Sequence, residues 1–410
     1  MEVKERDIVF RKSVNKYRIP STTYATFGLN RYPAKFIPQV VAYVLENYAT
    51  PHMKVFDPFA GCGTVGAVCR LYGQDYELWD LNPLLKVYHD IAVLQHKEVD
   101  PQKIILDLKA SKFEFLPKWS NFEYWYLDEF RPLLSKAWGF FHSLDDNNYI
   151  RSLLTIPLLR TSRIFSLDDV ERQKLSSSPI SESRIVALLT SDWEKTFYEI
   201  LEQELRRAIR KIDEYSKLCP VATDSIIKGG IDALNNCLTE QKDILLTSPP
   251  YLQSQEYIRQ AKMDLLWIGY SEERIKELSK LEIPYREVKP QTIKSQIYEI
   301  SRNKINDERL KKIYDRYFWG VLGALSNLQK DVGSFLLLFV GRASVQGQPV
   351  LIDRIFAEHL SDFGWSHEIT LIDKIATRRL FQYDKNPATN REEKRVRTKT
   401  ENLVVLKRVR

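Results

Sequence analysis

No stretch of this chain approaches the roughly 18 uninterrupted apolar residues that a helix needs to cross a bilayer. Its first residues, MEVKERDIVFRKS, carry charge but no apolar core of signal-peptide length, so a cytoplasmic protein is expected. Cysteine is scarce. Cys62, Cys69, Cys219 and Cys237 are spaced neither for a zinc site nor for a disulfide framework, and read as reduced thiols. The histidines His52, His89, His96, His142, His359 and His367 are scattered, and no His, Cys and acid cluster has ligand spacing, so no metal is expected. Internal repeats and low-complexity tracts are absent too.

What remains is the composition of an ordinary soluble protein, 44% hydrophobic and 28% charged, in a chain long enough for one large domain with insertions or for two domains. The net charge of +7 is unevenly placed. From Asp373 to Arg410 there are 12 Lys and Arg against 5 Asp and Glu, and 12 minus 5 equals the whole excess. Such a basic end suits a phosphate backbone.

The segment Lys54-Val55-Phe56-Asp57-Pro58-Phe59-Ala60-Gly61-Cys62-Gly63-Thr64-Val65-Gly66 reads as a short apolar strand, a glycine-rich turn and a helix start. Glycine lets the turn take positive φ and brings the backbone close to a ligand. The pattern G-x-G-x-x-G alone suggests a dinucleotide site. Asp57, ahead of the glycines, argues otherwise: a carboxylate there repels a pyrophosphate and suits the ammonium of a methionine moiety. Asp80, in Tyr76-Glu77-Leu78-Trp79-Asp80-Leu81-Asn82-Pro83, ends the next strand about 20 residues on, the spacing at which an acid holds ribose hydroxyls. It serves either nucleoside cofactor.

Further along, Asp243-Ile244-Leu245-Leu246-Thr247 reads as a buried strand ending in Ser248-Pro249-Pro250-Tyr251. Two prolines cannot continue a ladder and they fix φ, so this loop is rigid. An exocyclic base amine is a poor nucleophile, because its lone pair is delocalised into the ring. Two acceptors aimed at its N–H bonds, the Ser248 hydroxyl and the Pro249 carbonyl, favour a pyramidal nitrogen. Tyr251 is expected to stack on a base swung out of the duplex.

The motifs DPFAGCGT and TSPPY resemble those of DNA amino-methyltransferases, specifically the cytosine-N4 group of restriction-modification systems. The resemblance covers roughly residues 20–90 and 222–408. It implies S-adenosylmethionine as cofactor, double-stranded DNA as partner and a restriction endonuclease acting on the same site. It also implies cofactor contacts from Tyr32, Lys35 and Phe36, from Asp57, Phe59, Gly61, Gly63 and Thr64, and from Asp80, Asp232, Ala233 and Thr247. Residues 255–269 are similar to the helix after the family's catalytic loop.

The expected fold is α/β: a Rossmann-like methyltransferase sheet, mostly parallel with a reversed final strand, carrying a large mainly helical insertion. The catalytic domain is expected at 1–90 and 222–410, and the insertion, a candidate DNA-recognition region, at 91–221. Arg160-Thr161-Ser162-Arg163-Ile164-Phe165-Ser166 within it mixes cations with an aromatic, which suits a phosphate backbone or, equally, a plain structural insertion. A smaller insertion at 270–328, rich in Lys and Glu, reads as exposed helices. The chain stops soon after its final strand, so base readout falls to the insertions or the basic end. For backbone contact the favoured residues are Arg378, Arg379, Arg391, Lys394, Arg395 and Arg397.

Competing readings are adenine-N6 transfer, RNA amino-methylation, and a catalytically silent DNA-binding module. Ser248 favours cytosine over adenine, and disfavours glutamine-side-chain methylation, whose related loop starts with Asn. Cytosine-C5 chemistry needs a nucleophilic cysteine that this loop lacks.

Overall fold

The alternation of apolar strands and amphipathic helices resolves, in the computed structural model of the protein, into a sheet covered on both faces. The structure describes residues 4–16, 19–30, 35–172, 175–252, 256–341, 343–374 and 400–409. Strands are β1 (Glu5–Ile8), β2 (Val55–Asp57), β3 (Tyr76–Asp80), β4 (Ser225–Gly229), β5 (Lys242–Thr247), β6 (Val332–Gly341), β7 (Ala343–Val345), β8 (Gln348–Val350), β9 (Trp365–Lys374) and β10 (Thr400–Arg408). Helices are α1 (Pro38–Tyr48), α2 (Thr64–Tyr72), α3 (Leu84–Ala92), α4 (Pro101–Ala110), α5 (Phe122–Trp125), α6 (Arg131–Ser143) and α7 (Tyr149–Ile164). They continue as α8 (Pro179–Leu189), α9 (Trp193–Ser216), α10 (Tyr257–Trp267), α11 (Glu272–Ser279), α12 (Gln296–Asn303), α13 (Glu308–Leu328) and α14 (Ile352–Ser361).

Among the described residues the main sheet has the order β1-β9-β10-β6-β5-β2-β3-β4, with β7 and β8 forming a separate hairpin. Every neighbouring pair of the main sheet is parallel except those of β10, which runs antiparallel to both β6 and β9. The final strand is thus the reversed one, wedged between its predecessors.

Side chains of one strand alternate between two cores, as the period of two requires. In β6, Leu336, Leu338 and Val340 join the core under α13 and α14, while Leu337 and Phe339 join the core under α1 and α2. A strand buried on both faces reads as an unbroken apolar run, which is why GSFLLLFVG shows no polar alternation.

Helices α4 to α9 lie between β3 and β4 in the chain. In α9, Phe197, Leu201, Leu205, Ala208, Ile212 and Tyr215 recur at three- and four-residue spacing and are buried, so one stripe of a highly charged helix faces inward. The aromatic core of these helices is continuous with α10: Trp138 of α6 stacks on Trp267 at 5.2 Å, with 13° between the rings.

One expectation is corrected here. The segment 270–328 is not a set of exposed helices. In α13, Tyr314, Phe318, Val321, Leu322, Leu325 and Leu328 are buried against the sheet, and the charges that suggested exposure crowd its first turns. For Arg160 and Arg163, where a phosphate grip and a plain structural role stood side by side, the contacts favour the structural one. Arg160 donates to Glu204 at 2.9 Å, and Arg163 donates to Asp168 at 2.7 Å, Asp264 at 2.8 Å and the Gln260 carbonyl at 2.9 Å. Ser162 accepts the Trp138 indole N–H, and Thr161 donates to the Pro157 carbonyl. These groups tie α7 to α9 and α10.

Candidate active site at the switch point of the sheet

From β2 the chain steps outward to β3 and β4, then returns to β5 on the other side of β2. Loops leaving β2 and β5 therefore diverge, and a crevice opens beyond their carboxyl ends, where α/β sheets bind ligands. A cleft lies there, with about 890 Å³ of space counted out into the open solvent at its mouth. Its walls come from four strand ends: Pro58–Cys62 after β2, Asp80–Asn82 at β3, Ile231–Leu234 after β4 and Ser248–Pro250 after β5. Lys35, Phe36, Tyr257, Ile258, Leu281, Glu282 and Ile283 complete them.

The glycine loop is held by its neighbours. Asp57 accepts the Thr247 hydroxyl at 2.6 Å and the Phe59 N–H at 3.0 Å, which turns the chain at once after β2. Gly63, at φ 77°, caps α2 in a left-handed conformation that a side chain resists. At Gly66 a Cβ would come within 2.6 Å of the Tyr76 ring, so the third glycine seats α2 on β3. Asp80 accepts the Gly61 N–H and the Asn82 N–H, each at 2.7 Å, and so clamps the loop to the neighbouring strand. A carboxylate offers about four lone-pair sites, so Asp80 keeps capacity toward the cleft that it lines.

Burial dominates the electrostatics. It pushes the Asp80 carboxyl up to about 6 against the pull of its two N–H donors. It pushes Asp57 up to about 7 against its bonds from Thr247 and Phe59, and the charge of Asp80 adds to the rise. Glu282, also raised to about 7 by burial, faces the same cleft.

Of the residues expected to hold a cofactor, Lys35, Phe36, Phe59, Gly61, Asp80, Asp232 and Ala233 line this cleft together. Phe36 is fixed by stacking on Phe339 at 5.5 Å, and Lys35 donates to the Phe27 carbonyl. Asp232 is committed elsewhere as well: it accepts Arg286 at 2.8 Å, Asn235 at 2.6 Å and the Leu234 N–H at 3.2 Å.

Asp57, Gly63, Thr64 and Thr247 are not in the lining. Asp57 is 1% exposed behind Phe59, and Thr247 is fully buried, so both shape the loop from beneath. Thr64 is buried as the first residue of α2. Ser248, Pro249 and Pro250 open into the cleft, but Tyr251 does not. Its hydroxyl donates to Glu401 on β10 at 2.8 Å and its ring packs over Gly341 of β6. Tyr32 and the basic residues Arg378, Arg379, Arg391, Lys394, Arg395 and Arg397 lie outside the described residues.

Sequence reasoning missed Asn82, Tyr257, Leu281, Glu282 and Ile283. One signal was there: Leu281-Glu282-Ile283-Pro284 sets a lone acid in an apolar stretch closed by proline. Among the described residues no group of three His, Cys, Asp or Glu could hold a metal ion, and no helix is long and apolar enough to cross a membrane.

Over 88 residues, 22% of the chain, the protein is 30% identical to the Type II methyltransferase M.MjaII of Methanocaldococcus jannaschii. The matched part spans 17% of that relative's length. No family model matches the chain, and no solved structure does.

Proposed function

We propose that this protein transfers a methyl group from S-adenosylmethionine to the N4 amine of cytosine in duplex DNA. One observation carries the reading: the glycine loop, Asp80 and the Ser248-Pro249-Pro250 segment open into a single cleft. The match to a Type II methyltransferase supports methylation as the reaction class.

The cleft suits the cofactor chemically. Phe36, Phe59, Ile231 and Ala233 offer apolar surface to a flat base. Asp80 offers acceptors to sugar hydroxyls from the end of β3. When bound, the cofactor supplies the electrophilic methyl on its sulfonium.

The chain's own work is positioning. Pro249 and Pro250 stiffen the loop, so the Ser248 hydroxyl oxygen and the Pro249 carbonyl hold fixed positions as acceptors for the amine's two N–H bonds. Accepting those bonds draws the nitrogen toward pyramidal geometry and frees its lone pair. A nucleophile so held in line needs little further reorganisation, and positioning alone supplies much of the rate. Tyr251, tied to Glu401, steadies the end of this loop. In this reading the helical insertion, which shares its core with α10, the helix after the catalytic segment, holds the duplex. The basic segment 378–397 adds phosphate contacts in this reading, and a restriction endonuclease cutting the same site is the natural partner.

The decisive test is incubation with methyl-labelled S-adenosylmethionine and mixed-sequence duplex DNA, followed by nucleoside digestion and mass spectrometry. Label in N4-methylcytosine is the expected result. Label in N6-methyladenine would overturn the base assignment and keep the mechanism. Unlabelled DNA across several sequence pools, with label on RNA or nowhere, would overturn the proposal.

A pH dependence follows from Asp80. Its folded pKa, about 6, lies above the ordinary carboxylate value of about 4. Folded protein therefore holds the proton more tightly than unfolded chain, so this group's contribution to stability is full below about 4 and lost as pH rises through about 6. Sugar hydroxyls need the ionised form, so ligand binding has the opposite sign. Affinity for S-adenosylhomocysteine should fall by up to about tenfold for each pH unit below about 6. In Asp80→Asn the overall affinity should be weaker by roughly 1–3 kcal/mol and that slope should flatten. Calorimetric titrations between pH 5 and 8 check both.

A further inference from the structure

Glu282 sits between α11 and α12, 6% exposed, and has two sets of neighbours. Behind it, the carboxylate accepts the Ile258 N–H at 2.8 Å and bonds the Tyr257 N–H, the first two residues of α10. It thereby satisfies donors that a helix start leaves open, and its charge complements the positive end of the helix dipole. That duty alone asks only for an acceptor, which glutamine also provides. In front of it lies the ligand cleft, which it lines beside Asp80, Tyr257 and Ile258.

The acid is thus set against other acids. Asp80 of β3 and Glu256, the residue just before α10, both act on it to favour the protonated form, and Tyr257 of α10 and Tyr285 on its own segment are titratable groups beside it. Arg286, next in the chain but three, is committed to Asp232. Two buried carboxyls facing one cleft are relieved by a ligand that brings donors to both. A sugar with vicinal hydroxyls brings two.

We infer that Glu282 is a second sugar-recognising acid of the cleft, sharing with Asp80 the hydroxyl donors of an adenosyl ligand while fixing the start of α10. The inference rests on the reading that this cleft takes an adenosyl cofactor. It makes Glu282 a specificity-determining residue. A ligand lacking one hydroxyl leaves a buried acceptor unsatisfied, the situation that sites built on hydrogen bonds discriminate against most strongly. It also couples ligand occupancy to the helix that follows the catalytic segment, because the same carboxylate serves both.

The test is calorimetry of the full-length protein with S-adenosylhomocysteine, near pH 6.5, in buffers of different ionisation enthalpy, so that proton release is read directly. The unaltered protein should release protons on binding, since the ligand favours both carboxylates in their ionised forms. Glu282→Gln keeps an acceptor for α10 and should bind about tenfold more weakly, with less proton release than the unaltered protein. The 2′-deoxy and 3′-deoxy analogues, tested on the unaltered protein, need no variant to fold. At least one should lose about tenfold in affinity and part of the proton release. Wild-type affinity and proton release in Glu282→Gln, or full retention with both analogues, would overturn the inference and leave the cofactor reading standing. Failure of the unaltered protein to bind S-adenosylhomocysteine would overturn the cofactor reading, and this inference with it.

Discussion

Ser248→Ala is expected to slow methyl transfer by about 10²- to 10³-fold, the usual loss when one group that acts on the reacting centre is removed. Affinity for S-adenosylhomocysteine should stay within about twofold, because the serine acts on the target amine in this reading. The two neighbours in the motif divide the labour. Thr247 is fully buried, and its hydroxyl donates to Asp57, so it braces the glycine loop. Ser248, one residue on, opens into the cleft. Alanine removes an oxygen and leaves the backbone that Pro249 and Pro250 hold. A loss confined to turnover is the signature of an interaction made in the transition state. Single-turnover rates beside calorimetric affinities separate the cases. A fall in affinity as large as the fall in rate would move Ser248 into cofactor binding and leave the amine without its first acceptor.

The parts legible in the sequence are those whose physics is local. The apolar runs of β5 and β6, the turn at Gly61 and Gly63, and the proline pair after Thr247 announce themselves within a few residues. Topology then brings the two motifs to one cleft, although 190 residues separate Asp57 from Thr247. What could not be read is whatever depends on distant partners. Cations beside an aromatic at 160–166 have the composition of a phosphate grip, yet Asp264, 101 residues away, makes Arg163 structural. Tyr251 sits in the motif, but a hydrogen bond 150 residues along the chain turns it toward Glu401. The charges of α13 fill its first turns, and composition averaged over 270–328 hides the apolar stripe behind them. Glu282 left only a weak signal for the same reason. A lone acid near a proline is ordinary until folding places it beside Asp80.

Arg163→Ala is expected to destabilise the protein by about 3–5 kcal/mol, the scale for removing one partner from a buried ion network. The guanidinium reaches three groups on two elements: Asp168 beyond the end of α7, then Asp264 and the Gln260 carbonyl on α10. The Asp168 side chain is 2% exposed, so its charge would stay buried without a counter-ion. The sign of the pH dependence follows. Burial already raises the Asp168 carboxyl, and Arg163 is the largest influence holding it down. Without the arginine its folded pKa climbs further above the unfolded value, and stability is lost as pH rises through that wider gap. The deficit against the unaltered protein should therefore be larger at pH 8 than at pH 5, as urea midpoints at the two values would show. Loss of this tie should also loosen α10 and, through it, the insertion. On the proposed function, weakened DNA binding with an unchanged salt slope would then accompany the instability. A variant as stable as the unaltered protein, binding DNA weakly with a shallower salt slope, would return Arg163 to the phosphate backbone.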